Sequence, residues 1–467
     1  MGASHVYFLK SLTKFAKGDD RPSVIFDFRP TSAILYRVNS FRAALDQMDN
    51  RFSSLFNLTE AQAIEILDSP ADDSDEASSR YIAASHLVNF DSEAAIASLI
   101  RAANNTDTDL DNRIVRRKAV ESLGRLKAKP ALGAIESCLD DEDNYLVENA
   151  AWAIGEIGTD NTDILEKLAK QLARDNQSYR TIIHTLASLN YTPAAERIKR
   201  FVSSDSGPIA SAALSAMYQL TGDEQVMAKV LGFLQSTNVN ARRGSIQDLI
   251  DTGYFRAIPN IAQCPVSMVF RLRGIRLLAQ PAIAAGDLKF SQIQRTLEKV
   301  IRDHPGNVAL VHSYQQVPDV SGLIQELYGT DFGRCYLGSL TLIENYAAAA
   351  PAALIKSYEA EGYNDYGAHY HMMRLFGWLN VAEAYDLLVT ALHNKAPQFQ
   401  KSRVAAAIAL GELGVPTAIS ELKTALTVPI WDLQYAAIMA LEKLGESVKA
   451  MNVESTDWLV QEKLSSL

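Results

Sequence analysis

Residues 144–158 read NYLVENAAWAIGEIG. Val147, Ala150, Ala151 and Ile154 recur at the three- and four-residue steps that put side chains on one face of a helix. Asp143 or Asn144 offers a side-chain oxygen to cap the N-terminus. The small side chains of Ala150 and Ala151 let a neighbouring helix approach closely, and the glycine that closes the phrase suits a helix C-terminus. On either side, PALGAIESCLDD (130–141) and DILEKLAKQLARD (163–175) read as partner helices joined through short turns.

The phrase returns along the chain. AVESLG ends at Gly124 and AAWAIG at Gly155, a step of 31, and ALGELG ends at Gly414 and ALEKLG at Gly445, again 31. Weaker copies keep the register between them: TIIHTLASLN (181–190), AALSAMYQLTG (212–222), GSIQDLIDTG (244–253), GIRLLAQ (274–280), ALVHSYQQV (309–317) and MMRLFGWLN (372–380). Periods of about 30 to 47 residues mark stacked helix pairs, no one of which buries its apolar face alone. The expected fold is therefore all-α, an α-solenoid whose pattern resembles HEAT repeats of the short kind. A non-repeat segment is expected at 1–56, the N-terminal part of the array at 57–285 and the C-terminal part at 286–467. In the first segment VIFDFRP (24–30) reads as a short strand or an extended arm, and FRAALDQMDNRF (41–52) as a helix. DSPADDSDEASS (68–79) reads as an acidic loop.

An apolar fraction of 48% supplies a core that runs the length of the array. A net charge of −10 argues against a nucleic-acid scaffold, because phosphate binding needs an excess of Lys and Arg. The basic runs RIVRRK (113–118) and FRLRGIR (270–276) read either as solvated helix faces or as carboxylate clamps. Cys138, Cys264 and Cys335 form no CxxC pair and show no metal spacing, which suits a reducing compartment and predicts no metal site. There is no apolar run of transmembrane length and no signal-peptide h-region, so a cytoplasmic protein without membrane insertion is expected. GxxxxGK[ST], a GxGxxG after a strand and HExxH are all absent, which sets nucleotide and zinc-protease chemistry aside.

The succession NLTEAQAIEILDSP, SSRYIAASHL, RIVRRKAVESLGRLK and NYLVENAAWAIGEIG, with the closing pair KSRVAAAIALGELG and DLQYAAIMALEKLG, carries a more specific likeness. It resembles the E/F type of phycobilin lyases, closest to the single-chain phycoerythrobilin lyases and lyase-isomerases, over roughly residues 57–447. The resemblance implies a protein that takes an open-chain tetrapyrrole, phycoerythrobilin, and presents it to a cysteine of an α-type phycoerythrin subunit. The thiol then adds to the ring A ethylidene group and a thioether forms. Attachment alone and attachment with isomerisation to phycourobilin are both open. The acceptor cysteine belongs to the partner, so no nucleophile is needed in this chain. Bilin is then a substrate, and no cofactor is permanently bound. The His-Cys dipeptide of the two-chain isomerase type does not occur.

In a HEAT pair the second helix lines the inner face. Counting from Trp152 along the copies gives Glu121, His184, Asp248, Arg276, His312 and Arg374, a row too polar for a core position. Arg273, Arg276 and Arg374 are candidates to pair with the propionates of a bilin. Asp248 or Asp319 is a candidate acceptor for pyrrole N–H groups, and Trp152 a stacking surface. Thiol addition needs a proton delivered to the bilin, and isomerisation needs one added and another removed. ALVHSYQQVPDVSG brings His312, Tyr314 and Asp319 close in sequence, with Asp319 in a loop after a repeat helix. YNDYGAHYHMMR supplies Asp365, Tyr366, His369, Tyr370 and His371, with Tyr370 one turn before Arg374. His312, Tyr314, Asp319 and Tyr370 are thus the acid–base candidates. The competing reading is a non-catalytic HEAT adaptor or bilin chaperone that grips a helical partner; such a groove should show apolar anchors inside a charged rim rather than a mixed polar row.

Overall fold

The computed structural model describes residues 58–70, 77–451 and 453–467. The non-repeat segment 1–56, with its expected arm and helix, lies outside the described residues, as do residues 71–76 of the acidic stretch. All regular structure among the described residues is helical. No helix among them is long and apolar enough to cross a membrane.

Two compact units divide the array at Ile198/Lys199. Residue 285, where the sequence suggests a division, instead falls in the turn between the Met268–Ala284 and Phe290–Arg302 helices, which pack on one another. In the first unit the longer helices Ala77–His86, Leu110–Arg125, Asn144–Ile157 and Tyr179–Ser188 pack in succession. A partner helix lies between each pair, Glu93–Asn104, Leu132–Ser137 and Thr162–Lys170 in turn. Leu132–Ser137, for example, has a 3₁₀ turn on each side, so the expected partner helix at 130–141 is a composite of three short pieces.

The Asn144–Ile157 helix is capped by Asp143, whose side chain accepts from the Tyr145 N–H. It buries Val147, Ala150, Ala151 and Ile154 as the spacing requires, and Leu146, Ala153 and Ile157 as well. One stripe is not enough here, because a second helix in an array touches its own partner and the second helices on both sides. Close approach explains Gly124 and Gly155, which sit inside helices rather than closing them as expected. A Cβ on Gly124 would lie 2.9 Å from the Cα of Ala153, and one on Gly155 would lie 3.1 Å from Thr185 Oγ1. The chain reversals themselves use a left-handed residue just after the helix, Gly414 at φ 69° or Asn380 at φ 53°.

In the second unit Gly207–Thr221, Val239–Asp251 and Met268–Ala284 continue the pattern, as do Tyr366–Trp378, Gln400–Leu413 and Trp431–Lys443 further on. Gly377 and Gly411 repeat the close contact, each against an alanine of the next helix. One expected copy is missing. Residues 309–317 form an irregular stretch without helix, so His312 and Tyr314 stand on a loop. Asp319 does not follow a helix; it caps the start of the Val320–Glu326 helix.

After this interruption the unit folds back on itself. Lys463, in the Trp458–Ser465 helix, meets Glu298 at 3.1 Å and Glu442 at 2.8 Å, and Gln294 Nε2 lies 3.2 Å from Ser466 Oγ. The Phe290–Arg302 helix thereby packs against Gln400–Leu413 and Trp431–Lys443, and residues far apart in sequence become neighbours.

Candidate functional site

The basic runs are resolved by their partners. In the first unit Arg116 pairs with Asp141 at 2.5 Å, Arg117 grips Asp143 through two bonds of 2.6 and 2.7 Å, and Lys118 meets Glu121 at 2.6 Å. These charges are answered within the repeats themselves. In FRLRGIR, Arg271 points inward and Arg276 and Arg273 point outward, and the two directions lead to different places.

Inward lies a sealed polar network. Arg271 donates from Nε to Val266 O at 3.1 Å and from Nη1 to Ala262 O at 3.2 Å, and its Nη2 pairs with Asp303. Tyr336 donates to Asp303 Oδ2 at 3.0 Å and Tyr370 donates to the same oxygen. Burial alone would raise the Asp303 carboxyl, but Arg271, Arg374 and the Tyr370 hydroxyl outweigh it and hold it below the usual carboxylate range. Burial pushes both tyrosine hydroxyls far above their ordinary value. Arg374 satisfies the last carbonyls of the Phe290–Arg302 helix, donating to Ile301 O at 2.7 Å and to Arg302 O.

This overturns the open-face placement of three residues. Tyr370 is 0% exposed and Arg374 5%, locked into the core around Asp303. The space beside them, lined by Asp303, His371, Arg374 and Trp378, measures ≈ 10 Å³. That is room for about one water, so no part of a tetrapyrrole enters it. Asp248 is also fully buried, accepting from Ser211 Oγ at 2.5 Å across the neighbouring second helix. Ser122 and Thr185 make the matching bonds in the first unit, to Ala84 O at 2.8 Å and Ala151 O at 3.0 Å. Position 248 thus lies one residue past the open one, which belongs to Gln247.

The other predicted residues keep some exposure. Trp152 is half-buried with its ring against Gly124, a packing role between second helices. Asp319 is exposed and accepts from the Gly322 N–H at 2.8 Å. His312 Nε2 lies 2.8 Å from Asp331, which also pairs with the buried Arg242. Tyr314 lies under the Arg334 guanidinium, 5.4 Å from ring centroid to Cζ, and burial pushes its hydroxyl up to about 12. The sequence grouped His312, Tyr314 and Asp319; in the fold each is committed to different neighbours. All three cysteines are buried, and burial pushes the Cys264 and Cys335 thiols up to about 12, which leaves no reactive thiolate near neutral pH.

Outward from the same helix the fold-back builds a second cluster. Arg276 pairs with Asp457 at 2.6 Å while its guanidinium stacks over the Trp431 ring at 5.2 Å. Asp432 follows Trp431 at the start of its helix. Its Oδ1 accepts from the Leu433 N–H at 3.0 Å. Burial pushes the Asp432 carboxyl up to about 6, with Asp457 adding to the rise and Arg276 opposing it. Arg276 keeps 27% of its side chain exposed and Asp457 16%, so the cluster opens to solvent. One turn before Arg276, exposed Arg273 reaches Gln247 Oε1 at 2.6 Å. A flat aromatic face, a guanidinium and two carboxylates meet here. Trp431, Asp432 and Asp457 escaped the sequence reading because their partner lies in a distant repeat.

The family described as HEAT repeats matches residues 108–187, and the PBS lyase HEAT-like repeat matches residues 402–427. The chain is 57% identical over 420 residues to phycocyanin operon protein Y of Pseudanabaena tenuis, covering 90% of this chain and 100% of that one. It is 31% identical over 389 residues to the bilin biosynthesis protein CpeY of a Synechococcus species, covering 80% of this chain and 92% of that protein. The chain belongs to the E/F-type phycobilin lyase family. A shorter family member, the phycocyanobilin lyase subunit alpha of Synechococcus elongatus, is 32% identical over 226 residues, which are 44% of this chain and 80% of that one. The second unit thus holds two polar centres that differ in exposure: the Asp303 network is buried, and the Arg276 cluster meets solvent.

Proposed function

We propose that the chain is a bilin lyase that attaches phycoerythrobilin, through a thioether, to a cysteine of the α subunit of phycoerythrin. Kinship to a protein named for bilin biosynthesis and to phycocyanobilin lyase subunits supports the general activity. The Arg276–Trp431–Asp457 cluster is the observation that supports this helix as the bilin-binding surface. A bilin presents propionates, a flat conjugated system and pyrrole N–H groups. Arg276 offers a cation to a propionate and Trp431 a face to stack on, while Asp457 holds the guanidinium in place at 2.6 Å. The bilin is a substrate here, released on the acceptor, and no resident cofactor is needed. Val269 and Leu277, both exposed, lie one turn on either side of Arg273 and give the same helix an apolar stripe for the acceptor subunit.

The reading is tested by co-producing the chain with a phycoerythrobilin-making system and an α-phycoerythrin or α-phycocyanin subunit. A zinc-fluorescent covalent band on α-phycoerythrin in a denaturing gel supports it. Absorbance of that adduct as phycoerythrobilin means attachment alone, and a blue-shifted adduct means attachment with isomerisation to phycourobilin. Labelling of α-phycocyanin alone would reassign the acceptor. No adduct on any subunit would favour the adaptor reading.

A further inference from the structure

The outward face of the Met268–Ala284 helix carries a second cation that the Arg276 cluster does not use. Arg273 is exposed, and its hydrogen bond runs to the neutral amide of Gln247, from Nη1 to Oε1 at 2.6 Å. No carboxylate pairs with it among the described residues. The other two arginines of the FRLRGIR run are answered, Arg271 by Asp303 and Arg276 by Asp457. Arg273 and Arg276 stand three residues apart on one helix, which sets their Cβ atoms about 5–6 Å from each other.

An aromatic ring closes this strip at each end. Phe270, three residues before Arg273, lies under the Arg243 guanidinium, 5.3 Å from ring centroid to Cζ, and Arg243 also donates to Thr330 O at 3.2 Å. At the other end the Trp431 ring lies under Arg276 at 5.2 Å. Phe270, Arg273 and Arg276 follow at equal steps, so the strip advances by about 4.5 Å and winds by about 60° around the helix axis at each one. Its order is aromatic, cation, cation, aromatic.

We propose that the bilin lies along this strip, with the propionates of its two central rings on Arg273 and Arg276 and its two outer rings at Phe270 and Trp431. The proposal rests on the bilin-lyase reading and extends it from one anchoring residue to an orientation of the substrate. An open-chain bilin carries propionates on the central pair of its four pyrrole rings and none on the outer pair, which is the order the strip presents. Rotation about its methine single bonds lets the chain of rings follow the winding of the helix surface. Arg273 meets its propionate with a charge that no carboxylate answers. On Arg276, Asp457 holds Nη1 at 2.6 Å, and a guanidinium has five N–H donors, so donors remain for the second propionate.

The test titrates the parent chain, Arg273→Ala, Arg276→Ala and the double variant with phycoerythrobilin and with its dimethyl ester, in which neither propionate is charged. Binding is followed by tryptophan quenching, and covalent adduct on an α-phycoerythrin subunit is measured in parallel with the parent. Each charge-assisted bond contributes a factor of about ten or more in affinity. The expected result is that each single variant binds the free acid about tenfold more weakly or worse. The double variant should lose about 10²-fold or more, because the two arginines hold different propionates and their losses add as free energies. The ester should bind parent and variants alike. An Arg273→Ala chain that binds the free acid as well as an active parent does overturns the orientation and leaves the lyase reading standing. A loss on Arg273→Ala that is equally large with the ester also overturns it, since Arg273 would then act through something other than a propionate. A parent that forms no adduct with any subunit overturns the lyase reading itself, and this proposal with it.

Discussion

Replacing Asp303 by Asn probes what holds the second unit together. The carboxylate is sealed from solvent and answers the charge of Arg271, itself 1% exposed, while accepting from Tyr336 and Tyr370. An asparagine keeps one acceptor oxygen for the hydroxyls but leaves the guanidinium buried without its counter-charge. Breaking a buried pair from one side costs about 3–5 kcal/mol. The retained acceptor places the expected loss near the lower end, about 3 kcal/mol, a large share of the roughly 5–15 kcal/mol that holds a typical fold. In urea, with a slope of about 3 kcal/mol per molar, the midpoint of the second unit should fall by about 1 M. The double variant Arg271→Met/Asp303→Leu removes both charges and should recover much of the loss, since a buried pair replaced by apolar groups is often neutral. The sign with pH follows from the depressed Asp303 carboxyl: its contribution is present above the unfolded value of about 3.9 and is lost as pH falls through the folded one, so parent and variant should converge only in acid below about pH 4. Arg276 stands on the same helix as Arg271, so the weakened unit should also lose the outward cluster at lower temperature. A midpoint unchanged within error, or a double variant no better than the single one, would refute the keystone role of this network.

Two further substitutions separate packing from chemistry. Gly377→Ala sets a Cβ 2.7 Å from the Cα of Ala409 and should cost about 1–3 kcal/mol by urea denaturation, whereas Gly232→Ala, with open space around it, should gain up to about 1 kcal/mol; equal effects would contradict the close-contact reading. Asp319→Asn keeps a good helix cap while removing an acid, so stability should change by less than about 0.5 kcal/mol and adduct should form at the parent rate. Slower chemistry with full bilin binding would restore the acid–base role that the sequence suggested for it.

The array was legible because the period is written in the residues themselves. VENAAWAIGEIG carries its apolar spacing and small contacts in one phrase, and most of the weaker copies are helices where the register puts them. What failed was the finer grain. Gly124 looks like a helix end from its place in the phrase, but its lack of a side chain serves the contact with Ala153. Counting through two repeats landed on Asp248, one residue past the open position, and a single step on a helix turns a side chain by about 100° toward the neighbour. Arg374 and Tyr370 look like surface groups by type, and only their meeting with Asp303, supplied by the irregular turn after Arg302, makes burial tolerable. The outward cluster was half legible. Arg276 stands out for its place in the row, but Trp431 and Asp457 reach it through the fold-back of the last helices, a tertiary event with no local signal.

Whether the Arg276 cluster is where the bilin lies is decided most directly by titrating the purified chain with phycoerythrobilin and following the quenching of its four tryptophans, parent against Arg276→Ala. Loss of a charge-assisted bond worth about 1.5–3 kcal/mol should weaken binding by about tenfold or more, with quenching that still saturates. Equal affinity in parent and variant would place the bilin elsewhere on the chain and contradict the account.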